Sequence, residues 1–314
     1  MHSQTQHFDE IIEHAASLRY WCQHYDKLTP GAFHGFLQDV QLQGVRLFRE
    51  TLSSGVAQHT HTPAHCINLL LPVRLPRQSN SAPNRSILAD GLNFLPYDDD
   101  FFFITPPDTD YIVVSLQCQA LEQLLVAEDV ELFYQRPRGY ATKVSAERLE
   151  VAQAAMSGLL KQLENIDHFS EQALQVFTLA TLLDVLEPQS PGRIIGLGGS
   201  HQHIVKYCHE RVLESPAGEP LSILDLCREL KIPRRTLHYS FEKIVGSSPL
   251  AYLRAIRLNA AQRSLAGPEA PSVADAAYRW GFTHQSYFSQ EYKRLFGHSP
   301  SAHQRRSATE AGDA

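Results

Sequence analysis

Three histidines at close spacing are the sharpest candidates for chemistry in the first half of the chain. His59 and His61 flank one threonine, and His65 follows four residues later. Side chains two residues apart on a strand point to one face, and imidazole nitrogen is a common zinc ligand. The three residues are therefore candidate metal ligands, although a polar turn is the simpler interpretation in a chain with 16 histidines.

Other patterns typical of enzymes do not stand out in the sequence. We find no Ser-His-Asp order, no glycine-rich phosphate loop and no pair of carboxylates suited to acid–base catalysis. The five cysteines are scattered and form no C-x-x-C pair, which fits a reducing cytoplasm better than a disulfide framework. The sequence thus predicts no catalytic residue and no resident cofactor, and we expect a protein that is not an enzyme.

A second set of polar side chains lies near the C-terminus, on two segments with apolar residues at helical spacing. Leu237 and Phe241 anchor the first segment, while Phe288 and Tyr292 anchor the second. Outward arginine and glutamine side chains can bond base edges, and further cations can contact phosphates. The predicted base contacts are Arg234, Arg235, His238, Tyr239, Gln285, Ser286, Ser289 and Gln290. The predicted phosphate contacts are Lys243, Arg254, Arg257, Lys293 and Arg294.

These segments belong to an internal repeat. Ser222 begins a Ser-Ile-Leu-Asp sequence that reappears as Ser-Val-Ala-Asp at Ser272. Serine is a preferred helix N-cap, and the apolar residues behind each serine lie on one helical face. A short turn and a second helix follow, and both copies close with Gly-x-Ser-Pro, at 246–249 and 297–300. Two such copies predict two helix-turn-helix units.

The segment between the copies adds a geometric expectation. Pro249 to Ala266 predicts one continuous helix, about 27 Å long at ~1.5 Å per residue. Successive major grooves on one face of B-DNA are ~34 Å apart, so such a rod can place both second helices in adjacent grooves. Because the two outward faces differ in composition, we expect them to read different half-sites.

Charge is distributed unevenly along the chain. The net charge is −6, but from Arg228 to Arg306 the chain carries thirteen Lys or Arg and five Asp or Glu, a net of +8. The remainder has a net charge of −14. A basic C-terminal region after an acidic N-terminal region is typical of a double-stranded DNA reader attached to a sensor.

The rest of the chain predicts an α+β protein with several parts. Residues 8–28 favour a helix, 33–117 a small β-barrel or sandwich, and 119–134 and 145–186 further helices. We expect an effector-binding and dimerisation domain at 1–186, a linker at 187–200, a DNA-binding domain at 201–306 and a disordered tail at 307–314. No apolar run approaches the length of a membrane span, so we expect no membrane partner.

The repeat resembles the C-terminal domain of the AraC/XylS family of bacterial transcription regulators. The resemblance covers about 204–306 and rests on five motifs, which are Leu237-x-x-x-Phe241, Gly246-x-Ser248-Pro249, Trp280-Gly281-Phe282, Phe288 and Phe296-Gly297-x-Ser299-Pro300. It implies a cytoplasmic activator that binds promoter DNA, acts with RNA polymerase, senses a small effector in a cupin-like β-barrel and pairs into a homodimer. Lys231 and Pro233 depart from the family's first turn, so the resemblance does not fix the entry angle of the following helix.

A segment near the N-terminus resembles one subgroup of that family. The pattern from Trp21 to Gly35, together with Leu226-Cys227 and Arg234-Arg235-Thr236-Leu237, is similar to the ethanolamine-operon activators. That resemblance implies ethanolamine or a similar amine as effector, with adenosylcobalamin as a further ligand; an aromatic acid stays open as an alternative effector. A cupin-type metalloenzyme or metal sensor with an accessory DNA-binding module, using the three histidines, is the other function left open.

Overall fold

A computed structural model describes most of the 314 residues. The described ranges are 2–18, 20–76, 87–96, 99–135, 140–163, 170–186, 194–196, 199–215, 218–266 and 270–312. Mixed helix and sheet confirms the α+β expectation. None of the described helices has the length and apolar character needed to cross a membrane.

The N-terminal region contains two antiparallel sheets packed face to face. The strands are β1 (His2–Phe8), β2 (Cys22–Lys27), β3 (Gly35–Leu42), β4 (Val45–Leu52), β5 (Val56–His61), β6 (Cys66–Arg74), β7 (Gly91–Phe94), β8 (Asp100–Thr105), β9 (Thr109–Gln117), β10 (Tyr140–Lys143) and β11 (Ile194–Gly196). The large sheet has the order β1-β3-β4-β9-β6-β7-β10-β11, and the small sheet has the order β2-β5-β8. Phe48 and Val113 of the large sheet share a core with Phe101 and Phe103 of the small sheet.

Helices cover the other face of the large sheet and form the C-terminal region. They are α1 (Ile11–Ser17), α2 (Cys118–Leu124), α3 (Ala127–Tyr134), α4 (Ala146–Leu163), α5 (Glu171–Leu186), α6 (Ser200–Glu214), α7 (Ile223–Leu230), α8 (Arg234–Val245), α9 (Pro249–Leu265), α10 (Val273–Arg279), α11 (Gln285–Phe296) and α12 (Pro300–Gly312). Met156 of α4 and Leu182 of α5 pack with Leu47 and Ile112 of the large sheet. Since both faces of that sheet are covered at its centre, the strands β4, β6 and β9 are buried on both sides along most of their length.

The structure differs from the sequence prediction at three places in the N-terminal region. The helix predicted at 8–28 is wrong, because among the described residues of this range only those of α1 are helical, and β2 pairs antiparallel with β5. The described strands form two sheets rather than one closed barrel, so the cupin-like barrel is not confirmed. Ile194–Gly196, inside the predicted linker 187–200, adds β11 to the edge of the large sheet; residues 187–193 lie outside the described ranges.

The C-terminal region follows its prediction more closely. The helix predicted from Pro249 to Ala266 is α9, which ends at Leu265. The hydroxyl of Ser222 accepts a hydrogen bond from the Asp225 amide, and that of Ser272 accepts one from the Asp275 amide, so both predicted N-caps are confirmed. The tail expected to be disordered at 307–314 instead continues α12 as far as Gly312; the last two residues lie outside the described ranges.

Candidate nucleic-acid interface

The first unit, α7 and α8, is built from local interactions that the sequence encodes. Ser222 and Asp225 form a reciprocal capping box at the start of α7. Lys231 ends α7 in the left-handed region, with φ 53°, a conformation in which helix ends usually have glycine. Its amide and the Ile232 amide donate to carbonyls of the last turn of α7. Pro233 then occupies the N-cap of α8 with extended backbone, so the departure in this turn leaves both helices intact.

The outer face of α8 carries the first set of predicted base contacts. Leu237 and Phe241 are fully buried, which turns the intervening residues outward. Arg234, Arg235, His238 and Tyr239 are all exposed. The Tyr239 ring lies between the His201 ring and the Lys243 ammonium, which is 5.6 Å from its centroid. This face therefore presents cationic and aromatic groups together.

The second recognition helix, α11, presents a face of different chemistry. Phe288 and Tyr292 are fully buried against α9 and α10. The predicted contacts Gln285, Ser286 and Gln290 are exposed, and Ser289 is half-buried. Amide and hydroxyl groups replace the guanidinium groups of α8, so the two faces favour different base edges. Gly281 in the preceding turn has φ 80°, and Lys231 adopts the same left-handed conformation in the turn of the first unit, with φ 53°.

The predicted phosphate contacts divide into two groups. Lys293 is exposed, and Lys243 is half-buried beside Tyr239. Arg254 and Arg294 both bond the Glu291 carboxylate, at 3.1 and 2.7 Å. Arg257 donates to the Leu221 carbonyl oxygen, and burial lowers its pKa. Arg254 thus ties α9 to α11 and Arg257 ties α9 to the segment before α7, whereas the bond of Arg294 lies within α11. The predicted role of all three arginines at phosphates stays a prediction.

A buried ion cluster joins the N-terminal region to the C-terminal region, and the sequence analysis did not find it. Asp26 of β2 is fully buried, 2.6 Å from the Arg263 guanidinium of α9 and 3.1 Å from Nε2 of His209 of α6. Burial alone would raise the pKa of this carboxyl, but Arg263 and His209, with His24, hold it well below its usual range. Asp26 is therefore an anion inside the interface.

The loop after β2 also caps the end of the second recognition helix. The ammonium of Lys27 donates to the Leu295 carbonyl oxygen at 2.6 Å and to the Gly31 carbonyl oxygen, while the Gly31 amide donates to the Arg294 carbonyl oxygen. The last carbonyls of a helix lack partners within the helix, and a cation is favourable there. Burial lowers the pKa of Lys27 to about 8. Residues far apart in sequence thus orient α11.

The histidine candidates for a metal site are not all brought together. His59 and His61 line a cavity of about 350 Å³ between the small sheet and α6, together with Asp100, Lys206 and Glu210. His65 lies in the turn before β6, with φ 57°, and is not part of the lining. Burial and the neighbouring His209 lower the pKa of His59 to about 3. The structure therefore shows an interface cavity where the sequence suggested a three-histidine metal site.

A second buried polar cluster lies inside the N-terminal region. The Glu50 carboxylate is fully buried and receives Nε2 of His14 at 2.6 Å, the Tyr25 hydroxyl at 2.9 Å and the Tyr111 hydroxyl. Burial and the Glu50 charge raise the pKa of both tyrosines well above the usual range, so both act as hydrogen-bond donors. Such a network fixes the relative position of the two sheets.

Comparison with known proteins adds evidence for the C-terminal region. Residues 226–306 match the family described as a helix-turn-helix domain. The chain is 37% identical over 91 residues to the "Probable thc operon regulatory protein" of Rhodococcus erythropolis, covering 28% of this chain and 27% of that protein. It is 30% identical over 102 residues to the "XylDLEGF operon transcriptional activator 2" of Pseudomonas putida, covering 32% of this chain and 62% of that protein.

A solved structure with local similarity is that of a probable AraC family transcriptional regulator from Rhodopseudomonas palustris CGA009. It is 27% identical, with a TM-score of 0.30, and the match covers 33% of this chain and 93% of that one. The chain spans about a quarter of the first curated relative and under two thirds of the second. The C-terminal region is a helix-turn-helix domain, which confirms that prediction.

Proposed function

We propose that the protein is a sequence-specific bacterial transcription regulator rather than an enzyme, and that it activates a catabolic operon. One arrangement carries the proposal: α8 and α11 present exposed faces of different chemistry from two units joined by the single helix α9. Matched relatives bear the names of operon regulators and activators, which supports the same function for this domain. Promoter DNA and RNA polymerase are the partners that this function needs.

The DNA-binding proposal is tested by fluorescence anisotropy with the DNA upstream of the gene. Arg235→Ala and Gln285→Ala should each weaken binding about 5- to 150-fold, since a good base contact contributes ~1–3 kcal/mol of discrimination. The two losses should map to different half-sites in footprints. Lys143→Ala, which removes an exposed cation of β10, is the control and should bind as the parent does. Equal affinity of the parent for random DNA at the same salt concentration would contradict the proposal.

A small effector is proposed to control this activity. We place its site in the interface cavity, which is lined by residues of both regions. Two of the lining residues, Asp100 and Glu210, carry carboxylates that suit an amine such as ethanolamine. Thermal unfolding of the full chain with ethanolamine, adenosylcobalamin or benzoate as probes tests the idea, since a ligand of the folded state raises the midpoint. The rise in the unfolding midpoint caused by ethanolamine should be absent in Glu210→Gln. No shift with any of the three probes would contradict this effector class.

Pairing of two chains through α4 and α5 is the remaining part of the proposal. Val151, Val176 and Phe177 are large apolar side chains on these helices, each more than 40% exposed. Exposed apolar clusters of this kind support a subunit contact. Light scattering should show a dimer that the Val176→Asp and Phe177→Asp double substitution reduces to a monomer, and a monomeric parent at micromolar concentration would overturn it.

A further inference from the structure

Three potential metal ligands from distant parts of the chain meet beside α12. Among the described residues, Glu10, His298 and His303 form a group whose ligand atoms all lie within 4.8 Å of one another. Glu10 precedes α1, His298 lies between α11 and α12, and His303 lies in α12. Glu10 and His298 are half-buried and His303 is buried, so the group is shielded from bulk water on most sides.

Backbone groups orient both imidazoles of this group. Nδ1 of His298 lies 3.4 Å from the Ser299 carbonyl oxygen, and Nε2 lies 3.2 Å from Oε1 of Glu10. The His303 ring bonds the backbone of Gln262 and stacks on the His298 ring, with centroids 5.6 Å apart and an interplanar angle of 17°. A histidine that ligates a metal commonly gives its other ring nitrogen to a backbone carbonyl or carboxylate, which fixes the tautomer.

The ligand atoms of this group are placed so that a metal ion can take the position of a proton. Nε2 of His298 and Oε1 of Glu10 are 3.2 Å apart, a distance at which a proton on Nε2 links the two atoms by a hydrogen bond. When Nδ1 carries the proton instead, directed at the Ser299 carbonyl, Nε2 presents a lone pair that can bind a metal ion. Tetrahedral zinc with ligand bonds of about 2.1 Å separates its donor atoms by about 3.4 Å, so displacements of at most about 1.4 Å bring ligand atoms that now lie within 4.8 Å of one another to that spacing.

We propose that Glu10, His298 and His303 bind a divalent transition metal ion of the zinc class, with water as a fourth ligand. Two imidazoles and one carboxylate are a ligand set that zinc uses in proteins. The ion fastens the segment before α1 to the segment that follows α11. It therefore joins the N-terminal region to the second helix-turn-helix unit.

Arg306 competes with the metal ion for the same carboxylate. Its guanidinium lies 3.2 Å from Oε1 of Glu10, and its side chain is 51% exposed, so it can leave toward solvent. The positive charge of the guanidinium opposes that of the ion at short range. Removing this charge should therefore tighten metal binding. A variant that folded poorly would instead bind the metal more weakly, so the two explanations can be told apart.

The test is a titration of the EDTA-treated, dialysed full chain with ZnCl₂ by calorimetry and with CoCl₂ by visible absorption. We expect one ion per chain with a micromolar Kd and the visible bands of four-coordinate cobalt. His298→Gln and Glu10→Gln should each weaken binding at least tenfold, and Arg306→Gln should tighten it about three- to tenfold. His34→Gln removes a histidine that pairs with Asp9 at 2.9 Å outside this group, and it should leave the affinity unchanged.

Several results would overturn the site. Absence of saturable binding does so directly. Unchanged affinity in both His298→Gln and Glu10→Gln shows that the ion lies elsewhere on the chain. Weaker binding in Arg306→Gln contradicts the placement of the ion against the Glu10 carboxylate. Metal affinity is measured without DNA, so this test stands whether or not the protein proves to bind DNA.

Discussion

The two helix-turn-helix units are attached to the N-terminal region by different kinds of contact. Leu237 and Phe241 of the first unit share an apolar cluster with Ala57, Phe102 and Ile104 of the small sheet. The second unit meets the same region mainly through polar groups, which are the Lys27 and Gly31 contacts to the end of α11 and the bonds of Glu10 to His298 and Arg306.

This difference indicates which of the two units is more sensitive to pH and salt concentration. Apolar burial is non-directional and changes little with salt or pH, whereas partly buried ion pairs and hydrogen bonds depend on both. The first unit is therefore fixed to the N-terminal region, and the second is held by bonds that protonation, salt or a ligand can alter. If the two units read adjacent grooves, as proposed, a change in the position of the second unit alone would alter DNA binding.

The largest expected effect comes from breaking the apolar attachment. Phe102→Ala removes a ring that is 3% exposed from the shared cluster, and it should lower the free energy of unfolding by about 3–5 kcal/mol. Urea denaturation followed by circular dichroism measures this loss. Tyr278→Ala, which removes a mostly exposed ring of α10, is the control and should lower the free energy of unfolding by less than about 1 kcal/mol. A Phe102→Ala protein as stable as the control would show that the first unit is not fixed in this way.

Removing the buried anion should have a somewhat smaller effect. Asp26→Asn leaves Arg263 and His209 without their charged partner and should cost about 2–4 kcal/mol of unfolding free energy, since Arg263 is partly solvated. The pKa of Asp26 is lowered in the folded state, so its contribution is present above the unfolded pKa of about 4 and is lost as the pH falls through the lower folded value. The parent should accordingly lose stability below pH 4 more steeply than Asp26→Asn. If the stability of the parent and of Asp26→Asn fell equally steeply below pH 4, Asp26 would not be the buried anion that stabilises the folded state.

Protonation of His59 should give a smaller effect at milder pH. Its pKa is lowered to about 3, so the folded state holds it neutral while the unfolded state takes up a proton near pH 6.5. Stability should therefore fall as the pH is lowered from 6.5 to 5, by about 1 kcal/mol after allowance for partial exposure. His59→Gln should remove this part of the slope in chemical denaturation at several pH values. His61→Gln, on the same strand, should retain it.

The smallest effect concerns the two caps. Ser222→Ala and Ser272→Ala should each cost about 1 kcal/mol. Ser222→Ala should cost a few tenths less, because the Ser222 backbone amide is kept in the variant and still donates to the Asp225 carboxylate. Thermal unfolding of the two variants side by side measures the difference. A larger loss for Ser222→Ala than for Ser272→Ala would mean that this retained bond does not support the start of α7.

The sequence predicted most features that depend on residues close together in the chain, and few contacts between residues far apart in it. The caps at Ser222 and Ser272, the anchors Leu237 and Phe288 and the length of α9 depend on neighbours within a few residues. The pairing of Asp26 with Arg263 joins residues more than 200 positions apart, and no periodicity encodes it. The predicted helix at 8–28 failed because its apolar residues also suit α1 followed by β2, whose pairing with β5 decided the outcome.

One side chain of α9 completes the small sheet. The Asn259 amide accepts from the Lys27 backbone N–H and donates to the Lys27 carbonyl, both at 2.8 Å, as a neighbouring strand would. β2 is the outer strand of its sheet on that side, and unpaired outer strands recruit other chains into extended sheets. The C-terminal region thus covers part of an edge of the N-terminal region that could otherwise pair with another strand. An expression fragment that ends before α6 exposes this edge, and its solubility depends on what replaces Asn259.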